Sequence, residues 1–169
     1  MQPDEVLETL SKAGIHRDKR TLQRYAKAGL IPKPETKAAG RGKGKIADYP
    51  QEAPAEMYAS LQVMNNYQQF NVNDVAKLRK AAFHLKDDSG PYRLSKVVGD
   101  GLMQSFFFVF AVLWLNHKKS FQRFQETGDP AELNAGVQEG LQAMENNYPG
   151  DFGKGIREFV DCLKGVQLE

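Results

Sequence analysis

The side chains most able to do chemistry in this sequence are the cations of one basic segment, Lys12–Lys45. Eleven cations against the carboxylates of Asp18 and Glu35 give the segment a charge of +9. The whole chain carries only +2, so the remaining residues sum to −7. This division indicates a polyanionic partner for one end of the molecule. A solvated, lysine-rich surface loop is the alternative interpretation.

A short helix and a glycine turn are predicted to precede most of these cations. Val6, Leu7 and Leu10 lie at helical spacing, which indicates an amphipathic helix. Gly14 follows at a position where a left-handed residue commonly ends a helix, and Ile15 is the next apolar residue that can pack back onto it. The chain is therefore expected to turn sharply here.

A second helix is predicted to present the cations to solvent. Asp18 can cap it, Leu22, Tyr25 and Ala26 form its apolar side, and Gly29 ends it. Its solvent side combines hydrogen-bond donors that can bind phosphate with groups that can read base edges. Arg17 lies at the N-terminal end of this helix. The residues on that side are Lys19, Arg20, Gln23, Arg24 and Lys27. Two short helices around a tight turn are the layout of a helix-turn-helix.

A small β-hairpin is predicted after the second helix. Pro32 and Pro34 exclude helix, and glycines alternate with Arg41, Lys43 and Lys45 before the Ile46–Pro50 stretch. Such a tip is flexible and charged, so its backbone can approach a sugar-phosphate chain closely. A phosphate-cradling nucleotide loop is not supported, since no hydrophobic strand precedes the glycines and no Gly-Lys-Ser/Thr opens a helix after them.

These motifs resemble those of a known family. Thr21-Leu22-Gln23-Arg24-Tyr25, Gly29-Leu30-Ile31-Pro32 and the basic glycine loop ending in Tyr49-Pro50 resemble the winged helix-turn-helix of the MerR regulators. The resemblance covers about residues 3–70, and its specific part is 14–53. The sequence departs from the family at Ala26, where an acidic residue is frequent, and in a longer turn between Gly14 and Thr21.

The resemblance implies a recognition helix in the major groove, a wing on the neighbouring DNA backbone and a long following helix that pairs two subunits. Carried over by position, it implies that Arg20, Thr21, Arg24 and Tyr25 face DNA. It implies likewise that Arg41, Lys43 and Lys45 form the wing tip.

Helical patterns dominate the chain beyond residue 50. Met57, Leu61 and Met64 share one face, and Asn73 is predicted to cap a helix carrying Val75, Leu78, Ala82 and Leu85. Asp87–Pro91 should break that helix, and Asp129, Pro130 and Glu132 form a helix start. Apolar residues at helical spacing continue as far as Leu163. We therefore predict a winged helix-turn-helix domain over 1–70 and a helical dimerisation or effector domain over 71–169.

The unusual element of the second half is Phe106–Leu115, ten apolar residues without a polar face. It is too short to cross a bilayer, which takes about 20 apolar residues, so no membrane partner is expected. A central core helix, an interface with a second subunit and a pocket for an apolar small-molecule effector all remain open.

Catalytic and metal chemistry find little support in the sequence. Cys162 is the only cysteine, and His16, His84 and His117 stand in no metal-ligand spacing. The N-terminus is acidic and polar, unlike a signal peptide. We therefore expect a cytoplasmic protein that is not an enzyme and needs no cofactor or metal.

The sequence thus predicts a mainly α protein with an N-terminal winged helix-turn-helix, a small β-hairpin wing and a C-terminal helical bundle. The predicted function is that of a homodimeric regulator of transcription that binds double-stranded DNA sequence-specifically. An adaptor whose basic head contacts an acidic protein or membrane surface is the alternative. The predicted DNA-binding residues are Arg17, Lys19, Arg20, Thr21, Gln23, Arg24, Tyr25, Arg41, Lys43 and Lys45.

Overall fold

The computed structural model describes residues 1–38, 45–66, 70–86 and 102–135, together with 139 and 142. The described chain is mainly helical and carries one small antiparallel sheet. Its elements in chain order are α1 (Pro3–Lys12), α2 (Lys19–Ala28), β1 (Glu35–Ala38), β2 (Lys45–Asp48), α3 (Ala53–Asn66), α4 (Val72–Lys86) and α5 (Leu102–Thr127).

Helix α1 begins and ends on local signals. The Glu5 carboxylate accepts a hydrogen bond from the Gln2 backbone N–H at 2.7 Å, and Val6 and Leu10 are fully buried. Gly14 has a φ of 77°, which a residue with a Cβ rarely adopts. The Ile15 N–H then donates to the Leu10 carbonyl. The predicted sharp turn after α1 is therefore confirmed.

Helix α2 is held at both ends in the predicted way. The Asp18 carboxylate accepts the Thr21 N–H at 2.6 Å, and this bond lowers the pKa of the Asp18 carboxyl. Gly29 ends the helix with a φ of 84°. Leu22 and Ala26 face the core, so the opposite side of α2 is turned to solvent.

The predicted hairpin is present as a two-stranded antiparallel sheet. Glu35 pairs with Asp48, and Ala38 pairs with Lys45. The Asp48 carboxylate accepts hydrogen bonds from the Lys37 ammonium and from the Met1 ammonium. These two bonds, with the Lys37 bond contributing most, lower the pKa of Asp48 to about 2. The base of the sheet is thereby tied to the start of the chain.

Helices α3, α4 and α5 pack together. Helix α3 is the most enclosed of them, because every residue from Ala53 to Leu61 is buried. Pro54 lies in its first turn, where a missing N–H costs no hydrogen bond. Buried residues from Val6 to Phe124 form one hydrophobic cluster. The predicted division after residue 70 stays a prediction, since the core residues of both parts share this cluster.

The predicted cap of α4 is wrong by two residues. Helix α4 begins at Val72, and the Asn71 side-chain oxygen accepts the N–H groups of Asn73 and Asp74 at 2.9 and 3.2 Å. The Asp74 carboxylate accepts the Asn71 N–H in return. Asn73 already lies inside the first turn. Both asparagines precede the same apolar pattern, so spacing alone favoured neither.

The described part of the Phe106–Leu115 run belongs to the core of its own chain. Phe110, Leu113 and Trp114 are fully buried, and the Phe110 ring lies 4.4 Å from the Phe70 ring, centroid to centroid. The side chains of Phe106 and Phe107 lie outside the described residues, so the interface and pocket interpretations of the run stay predictions.

The C-terminal third is described only at its beginning. The Asp129 carboxylate accepts the Ala131 N–H at 2.9 Å, and residues 132–135 are helical, as expected for a helix start. The break at Asp87–Pro91 and the patterns beyond Glu139 and Gln142 lie outside the described residues. No helix in the described part of the chain is long and apolar enough to span a membrane.

Candidate nucleic-acid interface

The exposed side of α2 gathers four of the residues predicted for DNA contact, together with Lys27. Steps of one and three residues along a helix with 3.6 residues per turn place them on one side. Lys19, Arg20, Gln23, Arg24 and Lys27 are all exposed. We call these five residues the α2 polar face.

The cations around this face differ in whether they are already paired. Lys19 binds the Asp4 carboxylate of α1 at 2.8 Å, and an Arg17 guanidinium nitrogen donates to the His16 carbonyl. Within the described ranges, no carboxylate pairs with Arg20, Arg24 or Lys27. These three cations can therefore bind an external anion without first breaking an internal ion pair.

Tyr25 and Thr21 lie differently from the α2 polar face. The Tyr25 side chain is only 7% exposed and joins the hydrophobic cluster, with the Arg24 guanidinium 5.5 Å from its ring centroid. Thr21 is half-buried beside the Asp18 cap. Both residues mainly hold α2 in place, and the DNA contacts that the resemblance implies for them stay predictions.

A buried polar bridge fixes the end of α2 to the helices beneath. The Ser60 hydroxyl donates to the Leu30 carbonyl at 2.9 Å and accepts from the Trp114 indole N–H at 3.1 Å. Because the bridge joins α3 and α5 to the residue that follows Gly29, the α2 polar face is carried on a packed base. Ser60 was not predicted from the sequence, because its partners are distant in the chain.

The hairpin contributes further cations. Lys45, the first residue of β2, is exposed, as is Lys33 before β1, and neither pairs with a carboxylate among the described residues. Lys37 is already bonded to Asp48. Arg41 and Lys43, predicted for the wing tip, lie outside the described residues, as does the rest of the 39–44 loop.

A second polar cluster, to which α2 contributes no residue, was also missed. The Glu56 carboxylate is buried on α3 and binds the Arg79 Nε at 2.6 Å and the Lys118 Nζ at 2.9 Å. The three residues come from three different helices. A glutamate within the largely apolar stretch Ala53–Leu61 was the available signal, but its partners could not be found by spacing.

This cluster lines a groove of about 610 Å³ between the ends of the hairpin and the helices. Pro32 and Pro50 line the groove on the hairpin side, and Phe83 and Leu115 line it on α4 and α5. Leu115 is the one residue of the described Phe108–Leu115 stretch on this lining. We call it the hairpin–helix groove.

Metal binding has no support in the described part of the chain, where no group of three or more His, Cys, Asp or Glu side chains could hold an ion. Cys162 lies outside those residues. No family model matches the chain, and comparisons with curated proteins and with solved structures gave no match either.

Proposed function

We propose that this protein is a homodimeric regulator of transcription that binds double-stranded DNA through the α2 polar face. The observation that carries the proposal is the set of unpaired cations Arg20, Arg24 and Lys27 beside Gln23 on one exposed helix face. Arginine and lysine bind phosphates and guanine edges, and glutamine can bond adenine in the major groove.

The order of the elements supports a winged helix-turn-helix. Helix α1, the turn at Gly14, helix α2 and the β1–β2 hairpin follow one another as such a unit requires. In this arrangement α2 enters the major groove and the hairpin tip meets the neighbouring backbone. Lys33 and Lys45 would then add phosphate contacts beside those of α2.

The number of unpaired cations sets the expected salt dependence. Arg20, Arg24, Lys27, Lys33 and Lys45 could neutralise one phosphate each. Release of condensed counterions then gives a slope of log K against log salt of about −4 to −5 per protomer. Any contribution from Arg41 and Lys43 would steepen it.

The first prediction separates base contacts from phosphate contacts. The full-length chain is used to select duplexes from a random library, and affinities for a selected and a scrambled duplex are then measured by fluorescence anisotropy. Arg20→Ala or Gln23→Ala should reduce the preference for the selected duplex by about 1–3 kcal/mol. Lys45→Ala should lower the affinity for both duplexes about equally.

Lys77→Ala serves as the matched control, since Lys77 is exposed on α4 outside the α2 polar face. It should change neither affinity. Equal losses on both duplexes for Arg20→Ala, Gln23→Ala and Lys45→Ala would contradict the assignment of base contacts to α2. Selection that enriches no sequence, with binding lost evenly at moderate salt, would favour the adaptor over the regulator.

A further inference from the structure

The lining of the hairpin–helix groove carries more positive than negative charge. It holds the cations Arg79, Lys118 and Lys119 and the carboxylates Glu52 and Glu56, which leaves one positive charge in excess. Lys119 is exposed and forms no ion pair within 4 Å in the described part of the chain. Glu139 interacts with Lys119 only at longer range, and its carboxylate is bonded to Arg123.

Among the described residues, the two cations that bind Glu56 have hydrogen-bond donors without an acceptor. Glu56 takes the Nε of Arg79 and one donor of Lys118, whereas a guanidinium has five N–H donors and an ammonium three. The side chains of Arg79 and Lys118 are largely buried, 16% and 13% exposed. Glu56 thus holds both cations in fixed positions beside the groove, with further N–H groups available to an acceptor.

An exposed aromatic ring stands next to these cations. Phe83 is 38% exposed, and its ring centroid lies 4.8 Å from the Arg79 guanidinium carbon and 5.3 Å from the Lys118 Nζ. The Trp114 ring beneath lies 6.0 Å from Phe83, centroid to centroid. Phe83, Leu115 and the two prolines give the groove an apolar wall that an aromatic ring can cover.

We infer that the hairpin–helix groove is a binding site for a small organic anion with an aromatic body. The anionic group would accept hydrogen bonds from Arg79, Lys118 and Lys119, and the aromatic body would lie against Phe83 and Leu115. A volume of about 610 Å³ falls within the usual size of small-molecule sites, roughly 300–1,000 Å³. The site is separate from the α2 polar face and does not depend on DNA binding.

The test compares two fluorescent probes that share their aromatic rings and differ by one anionic sulfonate group. Anilinonaphthalene sulfonate carries an aromatic body and one anionic group, and phenylnaphthylamine has the same rings without the sulfonate. Titration of the full-length protein should show tighter binding of the anionic probe. Lys119→Glu should weaken binding of the anionic probe at least about fivefold by reversing a nearby charge, while it should change the affinity for the neutral probe less than about twofold. Phe83→Ala should weaken the binding of both probes.

Lys77→Glu is the matched control, because it makes the same charge change on an exposed residue that does not line the groove. It should leave both affinities unchanged. Thermal unfolding of each variant is compared with that of the unaltered protein, so that a loss of folding is not taken for a loss of binding. The inference is overturned if the anionic probe does not bind, if both probes bind equally, or if Lys119→Glu has no more effect than Lys77→Glu.

Discussion

His117 is a buried titratable residue whose protonation should oppose folding. Its side chain is 5% exposed, and neither ring nitrogen has a hydrogen-bond partner in the described part of the chain. Burial lowers the pKa of His117 to about 4, against about 6.5 in an unfolded chain. Between these two values the unfolded state binds more protons than the folded state. The contribution of neutral His117 to the free energy of unfolding is therefore fully present above pH 6.5 and is lost as the pH decreases towards 4.

The second prediction follows from this difference. Protonation of His117 should lower the free energy of unfolding by about 3 kcal/mol between pH 7 and pH 4, and His117→Leu should abolish this part of the decrease. Urea denaturation at the two pH values measures it. His16→Leu is the control, because His16 is exposed and bonded to the Ser11 hydroxyl. A His117→Leu variant whose stability falls with acid as steeply as that of the unaltered protein would contradict the assignment.

Residues whose role is local were predictable from the sequence, and those with distant partners were not. Asp18, Gly14 and Gly29 act within a few positions of the chain, and the structure bears out all three. Glu56 binds Arg79 and Lys118, which are 23 and 62 positions away. Pattern and spacing describe one element at a time, so they cannot identify a contact that depends on how three helices pack.

At the scale of the element, the start of α4 shows how closely two candidate caps can compete. The Asn71 carboxamide satisfies two N–H groups of the first turn, which would otherwise lose a partner on folding. Asn73 is exposed and lies one residue inside the helix. The two asparagines are chemically identical, so any difference between their substitutions reports position alone.

The third prediction uses that pair. Asn71→Ala should lower the free energy of unfolding by about 0.5–2 kcal/mol, the usual cost of losing a helix cap. Asn73→Ala should be neutral or slightly stabilising, because alanine has a higher helix propensity than asparagine. Urea denaturation of the full chain at neutral pH measures both. A larger loss of unfolding free energy for Asn73→Ala than for Asn71→Ala would contradict the cap at Asn71 and favour the cap at Asn73.

The longest uninterrupted buried stretch among the described residues does not lie in the element that composition singled out. The Phe106–Leu115 run has no polar face, yet Ala53–Leu61 of α3 is buried without interruption despite containing Glu56 and Ser60. Those two polar residues are tolerated because each is fully bonded, Glu56 to two cations and Ser60 to Leu30 and Trp114. Hydrophobicity alone understated α3 because small residues and paired polar groups can also be buried.

At the scale of the molecule, the charge division and the packing point to different roles for the two ends. The cations proposed to contact DNA lie on α2 and at the hairpin, while α3, α4 and α5 provide the packed base. A single head bound to DNA in the proposed way would cover only about 600–1,000 Å² of its own surface and give limited specificity. A two-fold dimer that reads two half-sites is the usual solution, and we propose it here with the two heads at opposite ends of the assembly.

The interface of such a dimer can use only side chains that are not already buried within one chain. Phe110, Leu113 and Trp114 are buried within the chain, so they are available only as the core beneath an interface. Val112 is partly exposed on α5. The side of α5 that carries Val112 is the proposed place where the second subunit packs.

The last prediction concerns this assembly. At micromolar concentration the full-length chain should sediment as a dimer and bind a selected duplex as two protomers per site. Val112→Glu should dissociate the dimer, because it would bury an unpaired carboxylate at the interface. Gln125→Glu adds the same charge at an exposed position on α5 and should leave the dimer intact. Sedimentation equilibrium, with thermal unfolding to confirm that each variant is folded, decides between the outcomes. A full-length monomer at micromolar concentration, or a folded Val112→Glu variant that remains a dimer, would reject the interface.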